Sequence, residues 1–309
     1  VRFNYFGENN RSFSFIEKSK FFFIFSIAIT ILGIIVLAAM GLNYGVDFSA
    51  GSNVDVVVKS DLSAKKEEME AYFKDSGLHD PHLTISATRV TMRFDEILTD
   101  AQEKALRTGF TEKFDKEASF EVNTVDVEMA RELQYNALKA VLIASIGIII
   151  YVSIRFEWRF AIAAVVALLH DAFIVISLFS IFRLQVNLPF IVAILTIIGY
   201  SINDTVVIFD RIRENMRFSK VKSHADLGKV VNDSIWQTLT RSINTVLTVV
   251  VAAACLFIFG SESIKMFSLA ILFGLVCGAY SSIFIASPFW LLLKKGEKPK
   301  AAAKTPAAS

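Results

Sequence analysis

Six long stretches of this sequence carry almost no charge, and that pattern ties the chain to a lipid bilayer more firmly than any motif does. A hydrocarbon core of ~30 Å is crossed by about 20 mainly apolar helical residues. Runs of at least nearly that length occupy 21–46, 136–154, 160–182, 184–209, 242–261 and 266–293. Lys139 is the sole charge in the second, near one end where it can snorkel. His170 and Asp171 interrupt the third, Asp204 the fourth, and the first and last two are free of charge. The first run is too long for the apolar core of a cleaved leader and lacks a small-x-small site at the right distance, so it is expected to stay as a span.

Lysine and arginine near span ends set orientation. With the N-terminus inside, eighteen of these residues fall on the inner side and only Arg183 and Lys265 in the two short outer loops. Both termini are therefore expected in the cytoplasm. The organisation that follows is a cytoplasmic segment at 1–20, a first span at 21–41, an external domain at 42–134, and five more spans within 135–293. A cytoplasmic loop is expected at about 211–241 and a disordered tail, rich in Ala, Lys and Pro, at 294–309.

The external segment alternates apolar and polar residues at Val54, Val56 and Val58, at Leu83, Ile85 and Ala87, and at Val90, Met92 and Phe94, which reads as strands. Met69, Tyr72 and Phe73 keep helical spacing, as do Leu106, Phe110 and Phe114 behind the capping-box signal Thr99-Asp100-Ala101-Gln102. With a last strand near 120–125 the order is β-α-β-β-α-β, the split arrangement of an α+β ferredoxin-like domain. That fold hosts many functions and names none.

The chemistry lies in the ionisable groups inside the spans, because a carboxylate at depth costs at least ~2.5 kcal/mol. Asp204 sits in a polar knot, Gly199-Tyr200-Ser201-Ile202-Asn203-Asp204-Thr205, within a helix otherwise made of Ile, Val and Leu. Helical rise places it roughly 9 Å inward of Asp210. Arg241, at the start of the next span, is expected at a similar height. Changing the separation of such a pair changes the affinity of the acid for a proton, and by linkage proton uptake moves the helix. His170 and Asp171 fit either a static interhelical hydrogen-bond pair or a second relay. Asp210, Arg211, Arg213 and Glu214 read as a solvated interfacial cluster, and Gly274 with Gly278 as a helix-packing face.

Other classes are excluded. A balance of 32 basic and 30 acidic residues does not suit a nucleic-acid partner. No phosphate-binding loop or H-E-x-x-H is present, and the four histidines, including His79 and His82 in a turn, lack cysteine partners at zinc spacing. Cys255 and Cys277 lie in apolar runs and suggest neither a disulfide framework nor a metal site. No cofactor and no metal are expected, and no enzyme activity: work done by this chain would draw on a partner or an ion gradient.

The run GYSINDTVVIFDRIREN at 199–215 resembles the signature of the SecF family of protein-export membrane subunits. The segment 150–160, the sequence Leu168-Leu169-His170-Asp171 and the sequence Thr240-Arg241-Ser242-Ile243-Asn244-Thr245 resemble that family as well, and the likeness extends over about 15–295. The resemblance implies six spans forming half of a twelve-helix assembly of the resistance-nodulation-division (RND) type, with SecD supplying the other half. It implies the SecYEG channel, a preprotein and membrane lipids as partners. The location implied is the bacterial inner membrane, with the large domain on the periplasmic side, and the proton-motive force drives translocation. It assigns the proton path to Asp204 and Arg241; Ser201, Asn203 and Thr205 flank that carboxylate and are expected to orient it or to carry water. Asp47, Phe48 and Gly51 fall in a family motif, Asp-Phe-x-Gly-Gly, whose first glycine is Ala50 here. That segment reads as a hinge or as a plain connector.

Two alternatives differ in kind. Half of an RND-type exporter for small molecules or lipids would be expected to carry a larger external region with apolar pockets. An aspartyl intramembrane protease would need Asp171 and Asp204 to share a proton; the Gly-x-Gly-Asp context is missing, and the two acids are expected at different depths.

Overall fold

The computed structural model describes residues 13–49, 51–59, 62, 65–75, 82–86, 89–219, 221 and 223–295. In chain order the first elements are helix α1 (Ser19–Met40), strand β1 (Asn43–Tyr44), the short helical turn α2 (Val46–Ser49), β2 (Gly51–Val57), α3 (Lys66–Asp75), β3 (His82–Ser86), β4 (Arg89–Phe94), α4 (Asp100–Lys113) and β5 (Ser119–Val125). Then come α5 (Val127–Arg155), α6 (Trp158–Ile181), β6 (Gln185–Val186), α7 (Leu188–Phe218), α8 (His224–Phe259) and α9 (Glu262–Ser281). A π-helical turn (Ser282–Ala286) carries α9 into α10 (Ser287–Leu293). These elements form two compact units, one made of 43–140 with 185–188 and the other of the remaining described chain.

The smaller unit holds a four-stranded antiparallel sheet in the order β3-β4-β2-β5. With α3 and α4 between strands this is the ferredoxin-like arrangement expected from the alternation. Val54 and Val56 on the central strand pair with Met92 and Val90 on one side and Val122 and Phe120 on the other. Met69, Phe73, Leu106 and Phe110 complete the same buried cluster, each side chain contributing about 1.5–3 kcal/mol by leaving water. Thr99 and Gln102 form the reciprocal cap at the start of α4, satisfying two amides that the helix cannot. Val58 lies just beyond β2, while Ala87 and His79 fall outside the described residues. A ladder not anticipated from sequence joins β1 to β6 in parallel, Asn43 to Gln185 and Tyr44 to Val186.

The larger unit contains helices long and apolar enough to cross a membrane; with α5 there are six such spans among the described residues, α9 and α10 counting as one. About half of the most apolar part of α6, α7 and the last span is buried (50%, 44% and 56%), against 11% for α1, α5 and α8. The former three make the centre of the unit. Phe160 of α6 stacks on Trp290 of α10 at 4.4 Å, and Phe209 of α7 packs on the same phenyl ring at 4.8 Å. The last carbonyls of α1 are taken by the end of α6: Ser180 Oγ donates to Gly41 O at 2.6 Å and Arg183 Nη1 to Met40 O at 2.7 Å. At the other end, the Phe15 amide donates to Asn232 Oδ1 and Trp236 Nε1 to Phe13 O, fixing the chain before α1 on α8.

The segment 211–241 is mostly helix: α7 runs to Phe218, and α8 starts at His224 behind a capping box in which Ser223 and Asp226 exchange amide hydrogen bonds. Charges mark where a span leaves lipid, not where its backbone hydrogen bonds stop, so a charge-based boundary shortens helices that continue into water. Residues 296–309 of the expected tail lie outside the described residues, and Lys294 pairs with Glu157.

Candidate functional site

The polar knot falls inside α7, where its residues point in different directions at 3.6 per turn. Tyr200, Ser201 and Asp204 line a small, partly open pocket together with Thr245 and Val246 of α8 and with Gly274, Leu275, Gly278 and Ala279 of α9. The glycines make the approach possible: a Cβ on Gly274 would stand 2.2 Å from Ile197 Cγ1, and one on Gly278 would stand 3.3 Å from Ser201 Cβ. Gly274 and Gly278 are thus a packing face, as their spacing suggested, and the face they pack on is the one carrying the knot.

Asp204 is 6% exposed. Among the described residues no hydrogen bond or ion pair reaches its carboxylate. Arg241 is exposed on α8 and acts on it only through space. Asn203 is also exposed, about 100° around the helix from Asp204. The expectation that Ser201 and Thr205 orient Asp204 is not met by their hydrogen bonds. Ser201 Oγ donates to Asp171 Oδ2 at 2.6 Å, and the Thr205 hydroxyl is joined to that of Ser282 at 2.8 Å. Side chains three residues before and one after Asp204 leave the helix toward α6 and the π-helical turn, so both hydroxyls are spent there.

Asp171 is 1% exposed and accepts a second 2.6 Å hydrogen bond from Ser281 Oγ, while His170 Nδ1 lies 3.1 Å from its Oδ1. His170 and Asp171 are neighbours on α6, and the interhelical bonds run from Asp171 to α7 and α9. Because Ser201 is one turn from Asp204, the two acids differ in depth by about one helical turn. Ser281 and Ser282 were not singled out from sequence. Serine is cheap within a span, so nothing flags it as a carboxylate costs would; the only available signal was the density of buried hydroxyls at Ser281, Ser282 and Ser287.

At the end of α7, Asp210 pairs with Arg213 at 3.1 Å and with Arg155 of α5 at 3.2 Å, and Arg211 with Glu214 at 2.7 Å, all partly exposed. In the smaller unit Asp47 Oδ2 accepts the Leu188 amide at 2.9 Å, capping the first residue of α7, and the buried Phe48 accepts from Gln134 at its carbonyl. Gly51 has φ +124°, and a Cβ there would sit 2.2 Å from Phe94 O, so both backbone and space require glycine. Ala50 lies outside the described residues.

The sequence matches the family described as protein export membrane protein SecD/SecF, C-terminal, over residues 105–296, and the SecD/SecF GG motif over 35–61. It is 47% identical to the protein translocase subunit SecDF of Bacillus subtilis over 95% of this chain, spanning 40% of that longer protein. It is 44% identical to the SecF of Alicyclobacillus acidocaldarius over 94% of this chain and 95% of that one. A crystal structure of SecDF from Thermus thermophilus superposes with a TM-score of 0.81 at 30% identity, covering 91% of this chain and 38% of that one. A central carboxylate in a six-span bundle, a glycine-bounded strand after the first span and these relatives together establish the chain as a multi-pass membrane protein belonging to the SecD/SecF family of protein-export membrane proteins.

Proposed function

We propose that this chain is the SecF-type half of a protein translocase and uses an ion gradient, with a SecD-type half, to promote preprotein movement through a SecYEG channel. The supporting observation is the condition of Asp204: buried, lining a pocket, and without a hydrogen-bond partner among the described residues. A carboxylate at depth costs at least ~2.5 kcal/mol, and a purely structural one would recover that through hydrogen bonds, as Asp171 does. Asp204 is instead placed to take up and release an ion, with Arg241 as the cationic group on the next helix. Asn203, exposed beside it, faces where a partner helix or water would stand.

In this reading both termini are cytoplasmic and the ferredoxin-like unit is external, the orientation favoured by eighteen inner against two outer basic residues. The hydrogen bonds of Asp171 run to Ser201, Ser281 and His170 rather than to Asp204, which disfavours a protease dyad. One charge crossing 100 mV yields ~2.3 kcal/mol, whereas full switching from 1:99 to 99:1 takes about 5.5 kcal/mol. More than one ion per cycle, a pH gradient added to the voltage, or partial switching is therefore required.

The test uses membrane vesicles that translocate a preprotein with ATP alone or with ATP plus a proton gradient. Asp204→Asn and Arg241→Met are each expected to abolish the gradient-dependent increment. Retention of the full increment by both variants would refute the assignment. Repeating the assay with a sodium gradient identifies the coupling ion.

A further inference from the structure

Asp171 is more deeply buried than Asp204, at 1% against 6% exposure, and the Asp204–Arg241 exchange gives it no task. From its contacts we infer that Asp171, with His170, is a second proton-holding site, filled from the Asp204 pocket through the hydroxyl of Ser201. This inference rests on the ion-driven reading above and adds a second station to it.

Ser201 is the hinge of the argument, since it belongs to both places: it lines the pocket with Asp204 and donates to Asp171 Oδ2 at 2.6 Å. The groups facing Asp171 can be named element by element. On α6 there is His170, 3.1 Å away; on α7 there is Ser201, with Asp204 one turn further along the same helix; on α9 there are Ser281, Cys277 and Tyr280. The Tyr280 phenol is engaged with Ser26 and Phe22 O of α1. The π-helical turn and α10 contribute only the hydroxyls of Ser282 and Ser287, which bond Gly278 O and Ser282 O. Among the described residues no lysine or arginine contacts Asp171, so its one basic partner is an imidazole, a side chain that can both donate and accept a hydrogen bond.

An acid held by a guanidinium stays ionised. An acid held by an imidazole and two hydroxyls can change its proton count without leaving a bare charge. The transfer balances as follows. A hydronium ion or a protonated Asp204 in the pocket gives a proton to Ser201 Oγ, and Ser201 passes its own hydroxyl proton to Asp171 Oδ2. Asp171 is then a neutral carboxylic acid whose O–H donates to Ser201 Oγ, and the new Ser201 O–H points into the pocket. Protonated Oδ2 no longer accepts from both Ser201 and Ser281, so the bonds joining α6 to α7 and α9 are rearranged by the same step.

Infrared difference spectra of the purified membrane complex, recorded between pH 5 and 9, test this directly. A protonated-carboxyl C=O band is expected that disappears in Asp171→Asn and persists in Asp204→Asn. In the vesicle assay, Ser201→Ala is expected to lower the gradient-dependent increment at least about tenfold and to shift its pH profile, and Ser201→Thr to restore both, since a positioned proton donor contributes factors of this size or more. A spectrum with no carboxyl band assignable to Asp171, or a Ser201→Ala variant with an unaltered pH profile, would overturn the second site and show Asp171 to be a fixed anchor. That result leaves the Asp204 reading standing, whereas an undiminished increment in both Asp204→Asn and Arg241→Met removes the reading itself.

Discussion

Replacing Gly274 by alanine puts one methyl group where the contact between α7 and α9 has no room for it. The new Cβ would meet Ile197 Cγ1 at 2.2 Å, Cδ1 at 2.4 Å and Cγ2 at 2.6 Å, and ordinary contact begins at 3.4 Å, so the shortfall is about 1.2 Å. Ile197 cannot swing aside: it is 1% exposed, and a β-branched side chain in a helix has essentially one χ1 rotamer. The helices must separate or the backbone shift, which costs about 1–3 kcal/mol. Alanine gains up to about 1 kcal/mol of helix propensity over glycine, so the single variant alone is a blunt measure. Ile197→Ala by itself leaves a cavity costing about 2–5 kcal/mol. In the double variant the two defects fill each other, and the propensity difference cancels in the cycle. A favourable coupling of at least about 1 kcal/mol is expected, within the range measured for residues in contact. Unfolding of the purified chain in a fixed detergent, measured for all four proteins, gives the cycle. Additivity within about 0.5 kcal/mol would show that Gly274 does not set the approach of α9 to the helix bearing Asp204.

Gly51→Ala is expected to destabilise the smaller unit by at least about 1–2 kcal/mol, because a side chain is disfavoured in the left-handed region and its Cβ would overlap Phe94 O; faster proteolysis within 43–140 reads it, and unchanged resistance would contradict the steric argument. Asp47→Ala removes the acceptor for the Leu188 amide and is expected to cost about 1 kcal/mol, raising hydrogen exchange at that amide several-fold. Asp47→Asn, which keeps an acceptor oxygen, should restore most of the protection, and equal exchange in all three proteins would dismiss the cap.

Much of this architecture was legible from the chain because its solvents write strong patterns. Lipid demands long charge-free runs, and the six spans follow from that; a two-sided sheet demands alternation, and Val54, Val56, Val90 and Met92 supply it. The capping box at Thr99 is local chemistry and could be read locally. The ladder between β1 and β6 is two residues long, too short to have a period. The partners of Ser201 and Thr205 depend on which face of α7 meets α6 and α9, a property of packing between segments far apart in sequence. Thus Asp204 was found as a costly charge, but Ser201 was assigned to its sequence neighbour rather than to Asp171. In 211–241 the charges mark a membrane boundary, and they carry no sign of where the helices α7 and α8 end.

The π-helical turn at Ser282–Ala286 accommodates one residue more than an α-helix would, the usual origin of such turns. Everything after it is therefore out of phase with α9 by about 100°. Excising a single residue there would close the turn into a continuous α-helix and leave Trp290 on Phe160 and Ser281 with Asp171, because the extra residue is taken up locally. The last span thus holds two azimuths on one rod, and the turn between them lets α9 keep its contacts with α7 while α10 keeps the Trp290 stack.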